Sequence, residues 1–139
     1  MAVNLTVTVF ASVAWLFRTN STVLPSFTTE WLFVASPVTS AVGATPVFVD
    51  VDESYAIDET KIADHITPST RALMPVYWRG FPPNMPAIME ISRRRQLLVI
   101  EDACAALGAA YDWVSAGAWG HAAAFSLHPL KPLNVWGDG

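Results

Sequence analysis

From residue 45 onward, short β-rich apolar runs alternate with segments of helical spacing, and that alternation leaves few folds open. Pro46-Val-Phe-Val-Asp-Val51 is the first such run, followed by a turn containing Asp52 and Glu53. Asp58 stands where a helix cap belongs, and Ile62 and Ile66 form an i, i+4 apolar pair behind it. Thr67-Pro68-Ser69 breaks that helix. Arg71 to Tyr77 reads as the next strand, and Gly80, Pro82 and Pro83 as the loop after it. Asn84 caps a predicted helix to about Arg95, with Met85, Ile88, Met89 and Ile91 on its apolar side. Leu97 to Ile100 is continuously apolar, as expected of a strand covered on both faces. Ala103 to Ala110 is small and helix-compatible, and Ala122 to Ser126 is a further short strand. Strands alternating with helices predict βαβ units. The fold class is therefore α/β, with a mostly parallel sheet, flanking helices and right-handed crossovers.

The first 44 residues are less regular. Met1 to Phe17 reads as a buried helix or strand, with a helix over Val7 to Arg18 and a short strand over Thr22 to Leu24. This apolar stretch has no basic segment before it and is short for a membrane span, so a signal peptide is not expected and a membrane anchor is the lesser reading beside a buried element. The 139 residues make one domain at most, and 53% hydrophobic with 14% charged residues excludes a disordered chain. The net charge is −4, and the basic run Arg93-Arg94-Arg95 falls at a predicted helix C-terminus, where positive charge is favourable. Nucleic-acid binding is not expected, because no wider basic surface accompanies the run. A single cysteine, Cys104, forbids an intrachain disulfide and fits a reducing cytoplasm.

In open α/β sheets, ligands bind beyond the carboxyl ends of the strands. That rule singles out Glu101 and Asp102, Tyr77 to Arg79, Pro25 to Thr28, and Ser126 with His128; Lys131 lies just past them. Asp102 reads either as a cap or as a carboxylate that reaches a bound ring. Lys131 reads either as a solvated lysine or as one held in a loop, since Pro129, Leu130, Pro132 and Leu133 surround it. A desolvated lysine loses proton affinity and can attack a carbonyl to give a Schiff base. Lysine and aspartate together suggest pyridoxal 5'-phosphate (PLP), which needs a lysine for its aldehyde and an acid opposite its pyridinium nitrogen. Ser126 can bond a phosphate or cap its own loop. His121, His128 and Cys104 match no tight metal spacing. Trp31, Trp78, Trp113 and Trp136 read as core or edge residues.

A series of motifs runs from about residue 24 to the end: Pro25-Ser-Phe-Thr28, Gly43-Ala-Thr-Pro-Val-Phe-Val-Asp50, Ile66-Thr-Pro-Ser-Thr-Arg-Ala72, Pro75-Val76, Gly80, Val99-Ile-Glu-Asp-Ala103, and Ala124-Phe-Ser-Leu-His-Pro-Leu-Lys131 leading into Gly137-Asp-Gly139. In this order and spacing the chain resembles the DegT/DnrJ/StrS-type sugar aminotransferases, which are fold-type I PLP enzymes. The resemblance implies a partial PLP-binding large domain over residues 1–139, with 1–23 poorly matched and the small C-terminal domain absent. It implies that Lys131 is the Schiff-base lysine and the catalytic proton shuttle, Asp102 the pyridinium partner and Ser126 a phosphate contact. It further implies amino-group transfer to a nucleotide-linked keto-sugar, with glutamate as donor, in a homodimer. Some relatives of this kind are sugar dehydratases with histidine at the lysine position.

The chain departs from the pattern at four places. The aromatic residue that follows Pro-Ser-Phe-Thr is displaced, so Phe33 or Trp31 would stack on the cofactor. Ala105 stands for a common glutamine, Tyr77 for the usual histidine, and Asp112-Trp113 for a Gly-rich hairpin. Trp113 is a poor residue where φ > 0 is needed. Three other outcomes stay open from the residues: a non-enzymatic remnant, a PLP-dependent dehydratase, and a generic ligand-binding α/β domain.

Overall fold

A computed structural model of the chain describes residues 5–10, as backbone, and 44–136. Among the described residues five strands form one sheet: β1 (Leu5–Phe10), β2 (Ala44–Pro46), β3 (Thr70–Pro75), β4 (Leu98–Asp102) and, after a small hairpin of β5 (Ala110–Tyr111) and β6 (Val114–Ser115), β7 (Ala122–Ala124). The order across the sheet is β2-β1-β3-β4-β7, and every pair is parallel. The chain leaves β1 toward β2 and then returns to β1's other side with β3. The strand order therefore reverses at β1 and β3, the place where open α/β sheets accommodate ligands.

The α/β expectation holds, with local corrections. Leu5–Phe10 is a strand, so a helix beginning at Val7 is excluded; the rest of that prediction, the Thr22–Leu24 strand, Pro25 to Thr28, Trp31 and Phe33 lie outside the described residues. The strand predicted over Pro46 to Val51 ends at Pro46, whose ring nitrogen has no N–H to extend a ladder; Val51 makes only an isolated bridge with Ile57. Asp58 does cap a helix, accepting from the Thr60 N–H at 3.1 Å, but Glu59–His65 is a 3-10 helix. Met85–Arg95 forms α1 as expected. Asn84 caps it through the Ala87 N–H at 3.4 Å and is itself fixed by a 2.6 Å bond to Glu59. The helix ends on Gln96 in the left-handed conformation, where glycine is more usual.

Residues 103–109 form consecutive turns rather than a helix, closed by Ala106 N–H to Ala103 C=O and Ala109 N–H to Ala106 C=O. Seven residues barely nucleate a helix, and Gly108 at φ +83° turns the chain toward the hairpin. Ala103 and Ala106 are buried there. Gly80, at φ +86°, sits against this segment, and a Cβ on it would lie 2.8 Å from the Ala105 carbonyl oxygen. The tryptophans differ from expectation as well: Trp78, Trp113 and Trp136 are exposed, while Trp119 packs on the core and meets Tyr111 edge to face at 6.2 Å.

Alternation along β3 and β4 separates two faces. Leu73 and Val99 point into the main core with Ile62, Met85, Ile88 and Tyr77. Burying each of the larger aliphatic groups contributes about 1.5–3 kcal/mol. Ala72 and Met74 point to the other face, where they meet Ala44 and Ile100. Leu98 lies on this second face and is 52% exposed, so β4 is not covered on both sides among the described residues.

Candidate active site

The alternation that makes these two faces also sends the last residues of β4 in opposite directions. Glu101 enters the core, fully buried, and Asp102 projects from the more open face. The Asp102 carboxylate accepts the Cys104 N–H at 3.2 Å, a local turn contact. Its backbone carbonyl accepts the Tyr77 N–H at 3.0 Å, which joins the carboxyl ends of β3 and β4. Asp102 also pairs in register with Ala124 at the end of β7. Ser126 follows two residues later and is half-buried.

Beyond β7 the chain makes a closed loop. The Ser126 hydroxyl accepts the His128 N–H at 3.2 Å, and the His128 ring accepts the Leu130 N–H at 3.2 Å. The Lys131 N–H donates to the His128 carbonyl at 2.8 Å, and the Val135 N–H reaches back to the Leu127 carbonyl at 3.1 Å. Lys131 is thus held at the middle of a constrained loop and is half-buried.

Cys104 sits beside both strand ends. Its thiol lies 3.9 Å from the Ala124 carbonyl oxygen, between the ends of β4 and β7. Burial pushes the thiol up to about 11; a hydrogen bond to Asp102 and its negative charge add to this, and the positive charge of Lys131 opposes it. The chain's other lysine, Lys61, is occupied elsewhere: it pairs with Asp58 at 3.0 Å and Asp50 at 3.3 Å. The hydrogen bond to Asp58 raises its affinity for the proton, the reverse of what a nucleophile needs. Among the described residues no ion pair engages Lys131.

A model of the DegT/DnrJ/EryC1/StrS aminotransferase family matches residues 8–139. The chain belongs to this family. It is 41% identical over 122 residues, 86% of the chain, to the UDP-N-acetyl-3-dehydro-alpha-D-glucosamine 3-aminotransferase of Acidithiobacillus ferrooxidans, of which it covers 32%. It is 43% identical over 121 residues to the GDP-perosamine synthase of Caulobacter vibrioides, again covering 86% of the chain and 32% of the relative. Among solved structures it resembles S. venezuelae DesV at 42% identity and a TM-score of 0.72, over 75% of this chain and 28% of that one. It also resembles Bacillus subtilis ntda, determined with bound cofactor PMP, at 34% identity and a TM-score of 0.68, over 74% of this chain and 23% of that one. The chain spans about a third of the length of the curated relatives it matches.

Asp102 ends β4, and Ser126 and Lys131 lie in the loop that follows β7. Phe33 and Gly137 to Gly139 lie outside the described residues. The set suits PLP in its donor chemistry: a carboxylate on an open face, a lysine held in a loop, and a serine at a strand end. Among the described residues, no group of three or more His, Cys, Asp or Glu side chains is placed to hold a metal, and no helix is long and apolar enough to cross a membrane.

Sequence reasoning did not anticipate the part played by Glu101 and Tyr77. Both Glu101 oxygens accept: Oε1 from the Trp119 and Gly120 N–H groups at 2.9 and 2.5 Å, Oε2 from the Gly117 N–H at 2.7 Å and the Tyr77 hydroxyl at 2.5 Å. Burial, helped by the bond to Glu101, pushes the Tyr77 phenol far above its ordinary range. A glutamate at an odd position of an otherwise apolar strand was the available signal, since a charge sent into a core must find partners there.

Proposed function

We propose that the chain supplies the PLP-binding core of an aminotransferase that transfers an amino group to a nucleotide-linked keto-sugar, with glutamate as the donor. The observation that carries this reading is the parallel pairing of Asp102 with Ala124, which sets the hydrogen-bonded loop of Ser126 and Lys131 directly after the strand beside Asp102, in a segment that matches the aminotransferase family. Asp102 would hold the proton of the cofactor's ring nitrogen, and the Ser126 hydroxyl would donate to its phosphate. Phe33 would stack on the ring. Bound PLP supplies an aldehyde for the lysine and an electron sink for the carbon that carries the transferred amino group. The Lys131 Nζ would anchor the cofactor and move a proton as general base and acid. The names of the relatives support the substrate class: one acts on a UDP-linked glucosamine derivative, another makes GDP-perosamine. The complete protein is proposed to work in the cytoplasm as a homodimer.

Product analysis tests the reaction. The protein is incubated with PLP, glutamate and a keto-sugar nucleotide. The account expects an amino-sugar nucleotide and 2-oxoglutarate in equal amounts, both lost in Lys131→Ala. A deoxygenated keto-sugar without amino transfer, or no turnover with PLP bound, would overturn the aminotransferase reading.

A further inference from the structure

Glu101 ties together three separate pieces of chain that all lead into the candidate site. Its carboxylate is fully buried and accepts four hydrogen bonds. One comes from Tyr77, just past the carboxyl end of β3. Three come from backbone N–H groups of residues 117–120, which lead into β7 and so into the loop that carries Ser126 and Lys131. Glu101 itself is the residue before Asp102. Tyr77 closes the arrangement twice over: its hydroxyl reaches Glu101 Oε2, and its N–H reaches the Asp102 carbonyl at 3.0 Å. Gly120 permits the approach, since a Cβ there would lie 2.8 Å from the Val99 carbonyl oxygen and 3.2 Å from Glu101 Cγ.

A flexible strand end would let Asp102 rotate away, at a cost to any ligand that needs it in place. Groups that orient a ligand-binding side chain commonly change affinity by about 10–100-fold when removed, as seen at metal sites. We propose that the buried Tyr77–Glu101 pair is a positioning device that fixes Asp102 relative to the Ser126–Lys131 loop for cofactor binding. The inference rests on the PLP reading above and adds two residues that need not touch the cofactor.

Tyr77→Phe removes only the hydroxyl and leaves Glu101 its three backbone donors. PLP affinity is measured by titrating the visible absorption of the bound cofactor, in a double-mutant cycle with Asp102→Asn. Tyr77→Phe is expected to weaken PLP about 10-fold in the wild-type background and less than about twofold in Asp102→Asn, because the tyrosine acts through the aspartate. Tyr77→His, which returns a donor, is expected to recover most of the affinity. A ligand-free readout runs beside this one. The Cys104 amide, which reports the Asp102 carboxylate, should exchange faster in Tyr77→Phe, while the Ile88 amide in α1 stays protected. Equal losses in both backgrounds, or equal acceleration at Cys104 and Ile88, would mean a general structural role and overturn the inference. Should Tyr77→Phe fail to fold, Tyr77→His against Tyr77→Met carries the same comparison. Wild-type protein that binds no PLP would sink the functional reading and the inference together. Weakening by Asp102→Asn but not by Tyr77→Phe would sink the inference alone.

Discussion

Replacing Glu101 by glutamine keeps the shape of the side chain but turns one acceptor oxygen into an NH2 group. At the Oε1 position that NH2 would face two backbone donors, Trp119 N–H and Gly120 N–H. At Oε2 it faces Gly117 N–H and the Tyr77 hydroxyl, which can rotate to accept. The second orientation costs less, and it leaves the Gly117 N–H without a partner. An unsatisfied buried donor costs about 1–3 kcal/mol, and each surviving bond weakens by about 1 kcal/mol when it loses its charge-assisted partner. The loop amides are only half-buried, so a total near the lower end, about 4 kcal/mol, is expected. Urea unfolding followed by circular dichroism reads this directly. With an m-value of about 2 kcal/mol per molar, the midpoint should fall by about 2 M. Glu90→Gln is the control: that carboxylate lies at the surface between Arg93 and Arg94, and its midpoint should hardly move. A shift below about 0.5 M for Glu101→Gln would refute the claim that this buried carboxylate organises the strand ends.

Three further outcomes follow from the same geometry. Cys104 should react slowly with iodoacetamide at neutral pH, its rate rising as pH approaches about 11; Asp102→Asn should speed the reaction and Lys131→Ala should slow it, and the opposite order would separate the three side chains. Trp113→Gly should raise stability by up to about 1 kcal/mol, because Asp112 at φ +48° and Trp113 at φ +66° form the hairpin turn and the indole is 97% exposed; a lower urea midpoint would count against this. The Tyr77 phenol keeps its proton in the fold at pH values where an unfolded tyrosine, at about 10, has lost it. The folded form then binds more protons than the unfolded one above pH 10, so stability present below that pH is lost as pH rises, and Tyr77→Phe should flatten the alkaline part of the curve.

What could be read from the sequence was local in origin. The cap Asn84 and the apolar spacing of Met85 and Ile88 mark α1 in the local sequence, and the helix runs where it was expected. The candidate site rests on a general rule, that ligands bind beyond the carboxyl ends of strands, and this rule points to Asp102 and Ser126, with Lys131 just past them. Elements decided by tertiary contacts were less legible. The alanines of 103–109 have high helix propensity, but the segment is short, buries Ala103 and Ala106, and must turn at Gly108. Trp113 reads from composition as a core or edge residue, whereas the family resemblance sets it in a hairpin turn, and the structure places it there at φ +66°. The strand-end rule and a departure from the family pattern both point to Tyr77, but neither shows what its hydroxyl meets. Its partner is 24 residues away, in a different strand, and no local spacing shows such a pair.

The central claim is that Lys131 is the group that receives PLP. The direct measurement is reductive trapping: the protein is mixed with PLP, reduced with borohydride, digested and sequenced by mass spectrometry. The chain has two lysines, so the outcome is discrete. The account predicts the adduct on Lys131 together with a visible absorption band, and loss of both in Lys131→Ala. Equal labelling of Lys61, whose ammonium is held by Asp50 and Asp58, or no adduct in folded wild-type protein would contradict it.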